Sequence, residues 1–204
     1  ELQVAFYNKG KEFDGVLIAT LFGPQVIALA KDLDKRELPY IFIDSSISGQ
    51  NDLAYFGGDS VGSGSIAAKL LLGEIGKSAN IFIAHIRFKS NEISVQMKTR
   101  EQGFMDYLKK NGFSGKVYHV EVDPDDYQGS LNAIEEIVRE KPDLVGGIVL
   151  NSRIYELVKL LDRMKPELRN RIRLIGHDAI ERNVKALKND QISFILSQRP
   201  ELQG

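Results

Sequence analysis

Five polar side chains in this 204-residue chain each stand where an otherwise apolar run stops: Thr20 after GVLIA, Asp44 after YIFI, Asn151 after LVGGIVL, Asp178 after RLIGH and Gln198 after ISFILS. Runs that are hydrophobic throughout read as strands buried on both faces of a parallel sheet. The ends of such strands gather at one edge, which is where open α/β sheets bind ligands. Planar carboxylate, carboxamide and guanidinium groups bond two adjacent hydroxyls at once, and aromatic rings lie against apolar C–H faces. The chemistry open to this set is non-covalent recognition of a polar ligand. Taken singly, each residue is more simply a turn or helix-capping residue. Five in one pattern favour a binding crevice.

Catalytic chemistry finds less support. His85, His119 and His177 show no metal-ligand spacing such as HExxH, and there is no Gly-x-Ser-x-Gly elbow or Walker loop. His177 beside Asp178 could be written as a base and its orienter, but neighbouring strand residues point to opposite faces, so one of the two is buried in packing. The stretch Gly62-x-Gly64-x-x-Ala67 formally fits a dinucleotide fingerprint. A true fingerprint comes directly off a buried strand, and AYFGGDSV is a poor strand. Close backbone packing is the better use of these glycines. We therefore assign no catalytic residue, no metal ligand and no cofactor from the sequence.

Composition narrows the class further. With 27 basic against 28 acidic residues the formal net charge is -1, which argues against these residues gripping nucleic acid through a basic face. Cysteine is absent, so no disulfide framework or thiol nucleophile arises. No apolar run approaches the roughly 20 residues of a membrane span.

The elements that must position the polar residues follow a βαβα rhythm. Strands are expected at 15 to 20, 40 to 44, 80 to 86, 116 to 122, 144 to 150, 172 to 177 and 192 to 197, with a short one near 53 to 57. Helices are expected at 24 to 37, 61 to 75, 97 to 111, 126 to 139, 152 to 164 and 180 to 188. Ile154, Leu157, Val158 and Leu161 fall at i, i+3, i+4 and i+7, an apolar stripe for a sheet face. Pro24 suits a first helical turn, and Gly76 and Asn111-Gly112 suit helix stops.

The segment from Arg173 to Gly204, RLIGHDAIERNVKALKNDQISFILSQRPELQG, resembles the effector-binding core of LacI-type transcription regulators and the related type I periplasmic sugar-binding proteins. The resemblance extends through nearly the whole chain. It implies an α/β fold of two doubly wound parallel-sheet lobes: residues 1–58 plus 199–204 as a partial first lobe, and 59–198 as the second. Further first-lobe structure before Leu2 and after Gly204 is implied as well. Asp178 and Gln198 match the family's ligand-touching Asp and Gln. Arg100, in KTREQGF, matches an Arg whose guanidinium reaches the ligand, and Asn151 matches a crevice Asn. Asp44 matches a first-lobe ligand residue whose usual Arg neighbour is replaced here by Ser45. Tyr127 falls where relatives place a stacking aromatic, with packing on the sheet as the equal alternative. Phe88 and Gln96 are weaker candidates, and Asp59 matches an Asp at the first crossing between lobes.

What the resemblance implies about function is a cytoplasmic, dimeric sensor. A small polyhydroxylated effector, in all expectation a sugar, closes the lobes about a hinge and thereby alters operator binding by a helix-turn-helix outside this chain. An exported sugar-binding protein serving a transporter or receptor would use the same lobes. A nucleotide-dependent enzyme with a flavodoxin-like sheet is a third class, distinguished by turnover.

Overall fold

In the computed structural model, residues 13–20, 23–87 and 93–198 are described. They divide into two compact units: one runs to Gly58 and includes Ser94–Gln96, and the other takes Asp59–Ile93 and the chain from Met97 onward. The expected return of residues 199–204 to the first lobe lies outside the described residues, as does Phe88.

The first unit carries strands β1 (Val16–Ala19), β2 (Tyr40–Ile43) and β3 (Tyr55–Phe56), all parallel and in that order, with helix α1 (Gly23–Lys35) between the first two. Val26, Ala30 and Leu33, at i, i+4 and i+7, put one stripe of α1 onto Ile18, Tyr40 and Phe42. Strand alternation turns Leu17 the other way, where it is 68% exposed. Among the described residues of this unit, α1 covers one face of the sheet.

The second unit holds β4 (Asn80–Ile86), β5 (Val117–Val122), β6 (Leu144–Val149), β7 (Arg173–His177) and β8 (Phe194–Leu196), all parallel, in the spatial order β5-β4-β6-β7-β8. The helices are α2 (Ser60–Ile75), α3 (Val95–Lys110, from Met97 on in this unit), α4 (Tyr127–Glu140), α5 (Ile154–Leu161), the single turn α6 (Pro166–Arg169) and α7 (Glu181–Lys188). The chain winds outward from β4 to β5, then returns past β4 to β6 and continues the other way. A right-handed crossover in each direction places helices on opposite faces. Accordingly, Ala67, Ala68, Leu71, Phe104 and Leu108 from α2 and α3 share one core with Ile81, Ile83, Ile148 and Ile175. Ile134, Val138, Leu157, Leu161 and Ala186 from α4, α5 and α7 share the other with Phe82, Ala84, Val149 and Leu174.

The expected elements are present, their helix ends shifted by a few residues at most in either direction and several strand ends shortened for local reasons. Strands β2 and β7 stop one residue before Asp44 and Asp178, which sit at φ 73° and 67°, a left-handed conformation that ends a strand and that Asp tolerates better than most residues. Helix α5 begins at Ile154 because the Asn151 side chain accepts a bond from the Arg153 N–H at 3.0 Å, a local turn that competes with helix. Asp59 is the N-cap of α2, accepting from Gly62 N at 2.8 Å, and Asp126 does the same for α4 from Gly129 N at 3.0 Å.

The glycines read as packing residues pack α2 against α3. A Cβ on Gly64 would meet the backbone of Arg100 and Phe104, and one on Gly103 would meet the backbone of Val61. Each glycine lets the other helix approach to backbone contact, so the GSG and REQGF motifs are two halves of one crossing. We expect Gly64→Ala and Gly103→Ala each to cost about 2 to 3 kcal/mol in urea unfolding, since backbone cannot move aside as a side chain can. Gly73→Ala, in the same helix with nothing near its Cβ position, should instead gain about 0.5 to 1 kcal/mol.

Candidate functional site

The place where a doubly wound sheet reverses direction leaves a crevice at the C-terminal strand ends, because the flanking helices depart to opposite faces. In the second unit that place is between β4 and β6. Arg100, in the second turn of α3, is 1% exposed and donates from Nη1 to the Leu150 carbonyl, just past the end of β6, at 2.7 Å. Asn151 follows, its Nδ2 3.5 Å from Met97 Sδ on the same helix. The closely packed α2–α3 pair thus holds a guanidinium and a carboxamide at the switch point.

The neighbouring strands extend the row. Asp178 closes β7 and Gln198 lies two residues beyond β8, with Gln198 Nε2 donating to Asp178 Oδ1 at 2.6 Å. Both are partly exposed. Asn151, Asp178 and Gln198 therefore stand at the ends of three strands adjacent in the order β6-β7-β8, and Arg100 enters from α3 beside the first of them. The row brings together planar groups, a guanidinium, two carboxamides and a carboxylate, of the kind that form paired hydrogen bonds.

Two supports were not evident in the sequence. Asn183, fully buried on α7, directs Nδ2 at the carbonyls of Ser152, His177 and Asp178, at 3.0, 3.2 and 2.9 Å. It ties the β6 and β7 loops together. His177 is the buried member of the His-Asp pair, 0% exposed, and lies 3.1 Å from both the Val149 carbonyl and the Ser63 hydroxyl. A carbonyl only accepts, so Nδ1 carries the proton and Nε2 accepts from Ser63.

Tyr127 stands apart from the row. Its ring packs against the α4–α5 core and its hydroxyl donates to the Lys159 carbonyl at 2.8 Å. Of the two readings of this residue, packing is the one the geometry supports, since the hydroxyl is spent on α5. In the first unit, Asp44 closes β2 and accepts from Gln96 Nε2 at Oδ1 (2.9 Å), while Thr20 and Ser45 are joined by short hydroxyl contacts, Thr20 Oγ1 donating to the Ser45 carbonyl at 2.5 Å. Gln96, a weaker candidate by sequence, is thereby the side-chain partner of Asp44.

Burial first, and then the charge of Arg100, push the His177 imidazole down to about 4. The folded state refuses a proton that the unfolded chain accepts below about 6.5, so stability falls as pH drops from about 6.5 toward 4, by about 3 kcal/mol in full. His85 works in the opposite sense: its bond to Glu101 raises its pKa, a contribution present below about 6.5 and lost as pH rises through the folded value. The difference between wild type and His177→Gln isolates the first effect. Unfolding at pH 7 and pH 4.5 should show wild type losing more stability than the variant, and the His177 ring resonances should stay those of neutral imidazole down to about pH 4.

The sequence profile of the periplasmic binding protein domain matches residues 3–204. The ribose import binding protein RbsB of Haemophilus influenzae is 20% identical over 171 residues, which are 84% of this chain and 56% of that protein. The chain thus spans little more than half the length of this curated relative. A Bacteroides fragilis structure provisionally assigned as a LacI transcriptional regulator superposes with TM-score 0.84 at 30% identity, covering 98% of this chain and 68% of that one. GanP, a glucose-galactose binding protein from Geobacillus stearothermophilus, superposes with TM-score 0.77 at 16% identity, covering 99% and 69%. Two parallel-sheet α/β units, strand order and profile agree on the type I periplasmic binding protein fold, and the chain belongs to the periplasmic binding protein domain family.

Proposed function

We propose that this chain is the ligand-sensing core of a cytoplasmic LacI-type transcription regulator, binding a small polyhydroxylated effector, a sugar by the chemistry of the site. The observation that carries the ligand class is the row Arg100, Asn151, Asp178 and Gln198 at the switch-point edge of the second sheet. Asp44, with Gln96 beside it, is the first-lobe contribution. Regulation is a population shift: an effector that binds closed lobes better than open ones biases the spacing of DNA-binding heads in a homodimer. Effector binding of this kind makes and breaks no bond.

The likeness to the Bacteroides fragilis protein, at 30% identity over 98% of this chain, supports the regulator reading. The likeness to RbsB and GanP supports a second one, an exported sugar-binding protein serving a transporter or receptor. The two share a crevice and differ in what lies outside these residues. A regulator carries a helix-turn-helix of roughly 50 to 60 residues before this core, paired across a two-fold axis so that two recognition helices sit one DNA turn apart. The near-neutral charge of these 204 residues supports the reading that an electrostatic grip on DNA resides in such a separate head.

In full-length protein, Asp178→Ala and Arg100→Ala should each weaken binding of the cognate sugar by about 2 to 4 kcal/mol in calorimetry, because each leaves a desolvated ligand hydroxyl without its partner. Arg100→Ala should also lower stability, since its guanidinium is wholly buried, whereas partly exposed Asp178 should not. Wild-type affinity in both variants overturns the site. The regulator reading is checked by titrating full-length protein onto an operator-like palindrome: steep salt dependence and an effector-dependent affinity are expected. A monomer without salt-dependent DNA binding, or a cleaved export signal, selects the transport reading.

A further inference from the structure

The second unit carries a cluster of side chains that sugar recognition does not use. Strand β5 is the edge of its sheet and pairs with β4 so that Ile83 faces His119 and His85 faces Glu121. Alternation places Ile81, Ile83 and His85 with Val117, His119 and Glu121 on the face covered by α3. Toward the N-terminal ends that face is apolar core, with Ile81 and Ile83 under Phe104 and Leu108. Toward the C-terminal ends two imidazoles replace the aliphatic side chains, and Glu101 comes down on them from α3. One oxygen of Glu101 lies 3.0 Å from His85 Nε2 and the other 3.7 Å from His119 Nδ1. One donor atom from each of the three residues falls within 4.8 Å of the other two.

We propose that His85, Glu101 and His119 bind one divalent transition-metal ion of the Zn2+ class. Two imidazole nitrogens and a carboxylate oxygen form a ligand set that suits zinc, cobalt, nickel or copper and not the all-oxygen demand of calcium or magnesium. Metal–nitrogen bonds of about 2.0 to 2.1 Å place tetrahedral ligand atoms about 3.3 Å apart, so the cluster contracts by an ångström or so on loading. His119, with its side chain 48% exposed, has the freedom to supply that movement. Three protein ligands leave a coordination position for water.

The surroundings also fit a ligand site. A metal-binding histidine commonly donates its second ring N–H to a carboxylate, which fixes tautomer and orientation. His85 does this: its Nδ1 lies 3.3 Å from Glu121 Oε1, leaving Nε2 directed at Glu101. Glu121 is in turn held by Arg87, whose Nε is 3.5 Å from Oε2 while Nη1 reaches Asp123 at 3.6 Å. His85 is only 9% exposed, so its orientation is fixed by packing.

The test uses tag-free full-length protein stripped with a chelator and titrated with Zn2+, with Co2+ as a spectroscopic probe and Ca2+ as the oxygen-preferring control. One Zn2+ per chain with micromolar or tighter affinity is expected, together with a visible Co2+ band, a zinc-dependent rise in Tm and no calcium response. His119→Ala, at an exposed position that leaves folding intact, and Glu101→Gln should each weaken Zn2+ roughly tenfold or more and abolish the Tm rise. Absence of stoichiometric uptake below about millimolar Zn2+ overturns the proposal, as does uptake that both variants leave unchanged. Sugar affinity of the His119→Ala variant should match wild type, so the metal and sugar results stand or fall separately.

Discussion

A guanidinium buried to 1% exposure at the turning point of a sheet is the feature on which the second unit is organised. Arg100 reaches the Leu150 carbonyl only because α3 lies close over the sheet, and α3 lies close because Gly64 and Gly103 remove the side chains that would hold α2 and α3 apart. A buried cation is costly unless its surroundings answer it. The answer includes what is withheld: His177, on the same face of β7 as Ile175, stays neutral, with Nδ1 on the Val149 carbonyl and Nε2 on the Ser63 hydroxyl. A protonated imidazole there would set a second positive charge near the first. The α2–α3 crossing, the histidine tautomer and the placement of the guanidinium are thus one constraint expressed on four elements.

The architecture was legible because strand periodicity and punctuation carry it. Apolar runs closed by Asp44, Asn151, Asp178 and Gln198 marked four strand ends correctly, and the βαβα rhythm fixed the parallel sheet. What could not be read is what depends on two distant segments meeting. Asn183 sits in ERNVKALK as one polar residue among several, and only the fold shows its amide spanning the loops after β6 and β7. Tyr127 was evenly balanced between stacking and packing until its hydroxyl was found on Lys159. His85 and His119 are 34 positions apart, so a search for ligands spaced along one element passes over them. Strand pairing makes them neighbours. Histidines on two adjacent strands, offset by two positions so that they share one face, are the sequence signal that would have found the pair.

The equivalence between the two units is itself informative. Asp44 and Asp178 each follow a parallel strand, each takes a left-handed backbone conformation, and each accepts a carboxamide on its side chain, from Gln96 and Gln198 respectively. A positive φ turns the chain away from the strand line and so ends the strand at each aspartate. A β-branched residue could not hold that conformation cheaply, and glycine could hold it but would offer no oxygen to the carboxamide. Aspartate is the residue that satisfies both demands, which is why the polar residue closing an apolar run is the informative one in this chain.

The Gln198–Asp178 bond of 2.6 Å ties together the residues that follow β7 and β8. A carboxylate has two oxygens and about four acceptor positions, so a ligand hydroxyl donating to Asp178 need not expel Gln198, but it does compete for the carboxylate's charge and orientation. Gln198 lies two residues past β8, whose own register to β7 is set by three pairs, Ile175 with Phe194, Gly176 with Ile195 and His177 with Leu196. The Asp178 N–H continues that ladder to the Leu196 carbonyl at 2.7 Å. The backbone up to Leu196 is therefore held by the sheet, and at Gln198 the chain is tied by the side-chain bond to Asp178. The Gln198 side chain thus returns to the end of β7 just after the β7–β8 ladder has stopped.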